Sequence, residues 1–104
     1  MSSQFDQVSV VKNANVFFEG KCVSHTVLFA DGSKKTLGII FPSCLTFTTK
    51  VMELMEITSG ECRVKIGDET EWTTISAGQE FQVLAATSFD IATDGILQYV
   101  CHFA

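Results

Sequence analysis

The 104-residue chain holds one proline, one tryptophan, one tyrosine and two histidines, and only 18% of its residues are charged. Each shortage removes a class of function. His25 and His102 stand far apart. No zinc spacing can therefore be written along the sequence, and a Ser/His/Asp triad would have to be assembled over long range. Cys22, Cys44, Cys62 and Cys101 form no C-x-x-C pair and are too sparse for a disulfide scaffold. They are expected to be buried, reduced thiols of a cytoplasmic protein. The glycines form no phosphate loop of the Walker or dinucleotide type. No apolar run approaches the roughly 18 residues of a membrane span. Residues 1–18 carry Asp6 and Lys12 where a secretory signal needs an apolar core. Basic side chains are also scarce: seven Lys and Arg against twelve Asp and Glu leave a net charge of −5. That balance argues against a nucleic-acid track and against docking on anionic lipid.

What is plentiful is apolar. Hydrophobic residues make up 46% of the chain, nine of them Phe, which excludes disorder and leaves apolar surface for a subunit interface. The length fits one domain whose folding buries roughly 60–68% of the unfolded surface. Turn signals recur at Asp31-Gly32, Pro42-Ser43, Ser59-Gly60, Gly67-Asp68, Ala77-Gly78 and Asp94-Gly95. Between them lie runs rich in Val, Ile, Thr and Phe at 16–18, 22–29, 36–41, 45–49, 62–66, 72–75, 80–83, 88–92 and 98–103. Cys62, Val64 and Ile66 alternate with Arg63 and Lys65, and Phe81 and Val83 with Glu80 and Gln82. Nine or so short strands predict an all-β sandwich or barrel. The best helix candidate is 50–57, but two turns between β-like runs do not sustain one. Residues 1–12 are weakly patterned and read as a loose N-terminal arm, with residues 13–104 as the domain.

One spacing carries more. Glu53 lies seven residues before Gly60, and seventeen residues separate Gly60 from Gly78. This is similar to the skeleton of the two cupin motifs, in which a β-barrel carries a metal on His-x-His, a Glu and a distant His. Here residues 46–49 occupy the His-x-His stretch and Phe89 stands at the last His, so only Glu53 of the four ligands survives. One carboxylate does not hold a transition metal against water, and no metal site and no cofactor are expected.

The wider pattern is Gly20-Lys21, Thr36-Leu37-Gly38-Ile39-Ile40, residues 45–49, Glu53-Leu54-Met55, Ile57-Thr58-Ser59-Gly60, Trp72, Ala77-Gly78, Phe81-Gln82-Val83, Phe89 and Tyr99-Val100-Cys101. In that order it resembles the small single-domain cupins of the pyrimidine/purine nucleoside phosphorylase family, over residues 13–104. The resemblance implies a metal-free cupin-type β-barrel, jelly-roll-like with little or no helix, usually a homodimer. It would split purine and pyrimidine nucleosides with inorganic phosphate into free base and ribose 1-phosphate. Leu84 replaces a Pro common there, Leu45 a frequent aromatic, and His102 a common Arg. The last matters if that position supplies charge near the site.

Phosphorolysis passes through an oxocarbenium-like sugar, so the site must hold a dianion, offset cationic charge and help the base depart. Phosphate needs hydroxyl donors and at least one Lys or Arg. The candidates are Lys34 or Lys35 with Ser33 and Thr36, Lys50 beside the Thr46, Thr48 and Thr49 hydroxyls, and Lys21. Thr46 and Thr48 share one strand face, Phe47 and Thr49 the other, so the cavity receives either two hydroxyls or a ring and a hydroxyl. Glu53 is the catalytic candidate. Facing inward, it would bind ribose hydroxyls or offset charge as a carboxylate, or donate a proton to the base if burial raises its pKa. Facing outward, it is a rim carboxylate beside Glu56. Phe47, Phe89 and Tyr99 would stack on the base, although nine Phe must mostly be core. The competing functions are a non-enzymatic cupin that binds nucleoside or sugar phosphate, and a metal-dependent cupin such as a dioxygenase or isomerase.

Overall fold

β-branched and aromatic residues at period two form strands wherever a partner can bury their apolar face. A computed structural model describes residues 3–103. Its strands are β1 (Ser9–Val10), β2 (Asn15–Phe17), β3 (Cys22–Leu28), β4 (Lys34–Ile40), β5 (Ser43–Thr48), β6 (Glu53–Ser59), β7 (Glu61–Ile66), β8 (Thr73–Ser76), β9 (Glu80–Val83), β10 (Ser88–Thr93) and β11 (Leu97–Phe103). Among the described residues the one helical piece is a 3-10 turn, Phe18–Gly20. No helix there is long and apolar enough to cross a membrane. The protein is nearly all β.

The strands form two antiparallel ladders. The larger sheet runs β1-β3-β4-β11-β6-β9, with β2 also paired to β3; the smaller runs β5-β10-β7-β8. Among the described residues no ladder joins the two, so the sheets are not closed into the cupin-type, jelly-roll-like barrel that was expected. Alternation sends Cys22, Ile40, Met55, Ile57, Phe81, Leu97, Tyr99 and Cys101 from the larger sheet, and Leu45, Cys62, Val64, Phe89 and Ile91 from the smaller, into one shared core. Cys44 is exposed, unlike the other three cysteines, and all four are free thiols.

The stretch 50–57 shows how pairing overrides propensity. Its helix formers lie on β6, held between β11 and β9. Met55 and Ile57 are buried while Leu54 and Glu56 are only partly so, the alternation of a strand. Part of residues 1–12 also lies on the sheet: Ser9–Val10 pair with β3, and the Phe5 ring meets Phe29 edge-on with centroids 5.2 Å apart. Residues 1, 2 and 104, the ends of the expected arm and domain, fall outside the described residues.

Gly38 sits at the centre of the larger sheet, between Ser24 on β3 and Tyr99 on β11. The Tyr99 ring crosses it, and a Cβ at Gly38 would collide with the ring and its hydroxyl. The phenol thereby reaches β3, 3.5 Å from Cys22 Sγ. Gly38→Ala is expected to cost about 2–3 kcal/mol, the usual penalty for overpacking a filled core. Adding Tyr99→Leu should recover part of that loss in a double-mutant cycle read by urea unfolding. Strictly additive effects would mean that the ring does not depend on the missing Cβ.

Candidate active site

β4 and β6 begin, and β11 ends, at the same end of the larger sheet. There an open pocket of ≈ 670 Å³ is lined by Gly32, Ser33, Lys34, Thr48, Lys50, Val51, Glu53 and Phe103. The β3–β4 turn delivers the first three. Gly32 adopts φ +90°, a conformation glycine takes at little cost. Asp31 Oδ1 accepts both the Ser33 amide (2.8 Å) and the Ser33 hydroxyl (2.6 Å). Those two bonds hold the Asp31 carboxyl below its ordinary range. The Ser33 proton is therefore committed to Asp31, and what the turn presents to the pocket is Lys34.

Lys34 Nζ lies 5.5 Å from the centroid of the Phe103 ring, a cation–π contact. Neither Lys34 nor Lys50 joins a salt bridge among the described residues. Glu53 faces Phe103 across β6 and β11, and Val83 across β6 and β9. Its Oε1 accepts a hydrogen bond from the Cys101 thiol at 3.5 Å. Burial pushes the Glu53 carboxyl above its ordinary value, partly offset by that thiol. The pocket thus sets two cations, one half-buried carboxyl and one aromatic ring around a single space. Such a set can hold an anion beside a group that develops positive charge.

The structure sorts the residues expected at the site. Lys34, Lys50, Glu53 and Thr48 are brought together. The Thr48 hydroxyl also pairs with Ser88 Oγ at 2.8 Å, and since one such bond uses one proton, one hydroxyl proton of the pair is left to donate. Thr46 is exposed and donates to Asp90 Oδ1 at 2.6 Å, away from the pocket. Phe47 and Thr49 take the inward face. Thr49 donates to the Leu84 carbonyl (2.6 Å) and accepts the Thr87 amide (3.1 Å), which pins the turn between β9 and β10. Thr36 sits deeper, opposite Cys101.

Phe89 and Tyr99 are core residues, 3% and 8% exposed. Phe89 lies between Phe47, stacked at 5.7 Å, and Phe81, edge-on at 5.8 Å. Phe47 in turn meets the edge of Phe18, whose φ of +51° is unusual for a bulky residue. These rings are engaged with one another. Phe103 is the pocket aromatic, and it was missed. Its period-two relation to Tyr99 and Cys101 at the end of the last strand was the available signal.

The other lysines lie elsewhere. Lys21 precedes Cys22 at the far end of β3, and Lys35 points to the opposite face of the sheet. On that face Lys35 Nζ and His102 Nδ1 are 2.9 Å apart, and His102 Nε2 lies 2.9 Å from Glu56 Oε1. His102 therefore adds no charge to the pocket, and Glu56 is not its companion carboxylate. A smaller pocket of ≈ 240 Å³ lies at the other end of β6 and β11, around Gly60 and Ile96. Its cation, Arg63, already pairs with Asp94 at 3.1 Å. Among the described residues no three His, Cys, Asp or Glu side chains gather as a metal-ligand set.

The sequence profile described as pyrimidine/purine nucleoside phosphorylase matches residues 12–103. A protein of that name from Herminiimonas arsenicoxydans is 61% identical over 103 residues, covering 99% of both chains. Another from Cupriavidus necator is 60% identical over 102 residues, covering 98% of this chain and 97% of its own. Among solved structures, a protein of unknown function from Acinetobacter sp. ADP1 superimposes with a TM-score of 0.97 at 57% identity, covering 99% and 100% of the two chains. The iron(II) protein HppE shares the fold at TM-score 0.74 and 11% identity, covering 88% of this chain and 55% of its own.

A carboxyl that holds its proton more tightly folded than unfolded favours folding when protonated. For Glu53 that contribution is complete below the ordinary glutamate value, roughly pH 4.3. It is lost as pH rises through the raised folded value. Glu53→Gln should therefore melt at a higher temperature than the parent at pH 7, with the gap closing towards pH 4. A lower melting temperature at pH 7 would contradict the desolvation of Glu53.

Proposed function

The chain belongs to the pyrimidine/purine nucleoside phosphorylase family, and on that premise we propose that it is a metal-independent pentosyltransferase. It converts purine and pyrimidine nucleosides and inorganic phosphate to free base and ribose 1-phosphate. The observation that carries the reading is the convergence of Lys34, Lys50, Glu53 and Phe103 on one pocket. Lys34 and Lys50 hold the phosphate, helped by the spare hydroxyl proton of the Thr48–Ser88 pair. A phosphate oxygen then forms a bond to C1′. The C1′–N bond breaks, its electron pair leaves on the base, and the base takes up a proton. The Glu53 carboxylate offsets the charge that develops on the sugar. Phe103 offers a ring face to the base, and stacking accepts purine and pyrimidine alike.

Metal independence is supported by hydroxyl and ring side chains at residues 46–49 and 89, where the cupin pattern has imidazoles. We read the two sheets as halves of a cupin jelly roll, because Gly60 and Gly78 both fall in turns with φ of +86° and +90°. Exposed Leu37 and Ile39 on the outer face of the larger sheet support a homodimer. Four free thiols support a reducing compartment, the cytoplasm.

Uridine or adenosine with phosphate should yield free base and ribose 1-phosphate. Base released equally well without phosphate would make the protein a hydrolase, and no base from any nucleoside would leave a binding protein. Lys34→Ala and Lys50→Ala should each raise the KM for phosphate roughly 10- to 100-fold, the loss of a charged hydrogen bond of about 1.5–3 kcal/mol. Glu53→Gln should lower kcat by about 100-fold or more. Unchanged kcat would remove Glu53 from the chemistry.

A further inference from the structure

Cys101 has no role in the chemistry above, yet its thiol touches the carboxyl on which that chemistry turns. The residue is 3% exposed. On β11 it stands opposite Thr36 of β4 and Met55 of β6. Glu53 lies two residues before Met55, on the same face of the sheet, and so occupies the diagonal position that a side chain from β11 can reach. Cys101 Sγ lies 3.5 Å from Glu53 Oε1. Thr36, its partner on β4, is the other polar side chain beside the sulfur and favours its ionised form. Thr36, Cys101 and Glu53 thus stand on three adjacent strands, and thiol and carboxyl are joined.

The residues paired with Glu53 in register, Phe103 and Val83, are apolar and offer it no donor. The charged groups that share its pocket are Lys34, from β4, and Lys50, from the connection between β5 and β6. Neither forms a salt bridge with it among the described residues. Burial and the neighbouring Glu53 charge push the Cys101 thiol well up, so it keeps its proton and stays a donor.

We propose that Cys101 is a positioning residue for Glu53: its thiol occupies Oε1 and leaves the second carboxylate oxygen free to meet the sugar. The proposal rests on the reading of Glu53 given above and adds the residue that aims it. Nothing is transferred through the sulfur. Its part is to limit the carboxyl to one rotamer while the pocket is empty, so that the oxygen facing the substrate is already in place.

The test compares Cys101→Val, which keeps the volume without a donor, with Cys101→Ser, which keeps a donor. Cys101→Ala repeats the first without a branched side chain. Two readouts are taken on each: the Glu53 carboxyl titration by carbon NMR, and the pH profile of kcat/KM for uridine. In Cys101→Val the carboxyl should titrate about half a pH unit higher, as loss of a weak donor implies. The acid limb of the profile should move with it. kcat should fall several-fold with the KM for phosphate unchanged, and Cys101→Ser should recover part of both. An unmoved titration in Cys101→Val and Cys101→Ala, with Glu53→Gln still inactive, overturns the positioning role alone. Full turnover in Glu53→Gln overturns the reading of Glu53 and the positioning role with it, whatever the titration shows.

Discussion

Everything in the larger sheet is measured from the place where Tyr99 lies across Gly38. A side chain at Gly38 would lift the ring, and β4 and β11 could not keep a large phenol between them and still pack on the smaller sheet. With the ring down, its hydroxyl reaches the Cys22 sulfur on β3, so one side chain ties three strands together. The same choice of face then repeats every second residue of β11. Cys101 comes next towards the pocket, and Phe103 comes last, at its rim. A slip of one residue would send His102 into the core and Cys101 out to solvent. The site is therefore a by-product of one packing contact made four residues deeper along β4 and β11.

That contact also explains how an acidic chain can present a phosphate pocket. The net charge of −5 acts over distances that physiological salt screens within about 8 Å. What a bound anion meets is local: two lysines without acidic partners, and a carboxyl whose ionisation burial opposes. Elsewhere Arg63 is engaged with Asp94, Lys35 with the His102–Glu56 pair and Lys65 with the Trp72 ring. What a bound anion meets is set by the side chains gathered in the pocket, and the overall charge does not decide it.

The strands were legible wherever side chains alternated cleanly. Glu61–Ile66 and Glu80–Val83 match their sequence patterns because one face is apolar and the other polar or charged. β6 was not recognised as a strand, since Leu54 and Met55 are helix formers and only pairing with β11 and β9 makes them extended. Lys34, Lys50 and Glu53 could be named as candidates from their residue types alone, but choosing Lys34 over Lys35 needs the register of β4. The aromatic candidates failed differently. Phe89 and Tyr99 have the chemistry to stack on a base, and the same surface makes them preferred core residues. Thr49 is buried for a hydrogen bond to a turn, a demand that no strand pattern expresses.

β11 is the last strand in the sequence, yet it lies in the middle of the larger sheet, between β4 and β6. While the chain is being synthesised, β4 and β6 each wait with one edge unpaired until residues 97–103 have left the ribosome. The β3–β4 hairpin and the β6–β9 pair on either side can form before it, but the sheet that joins them cannot. Pairings of such long sequence separation make folding slow, and open edges are where nascent chains pair with the wrong neighbour. The strand that carries Cys101 and Phe103 to the pocket is thus also the one that closes the fold. The protein acquires its site and pairs the inner edges of β4 and β6 in the same step.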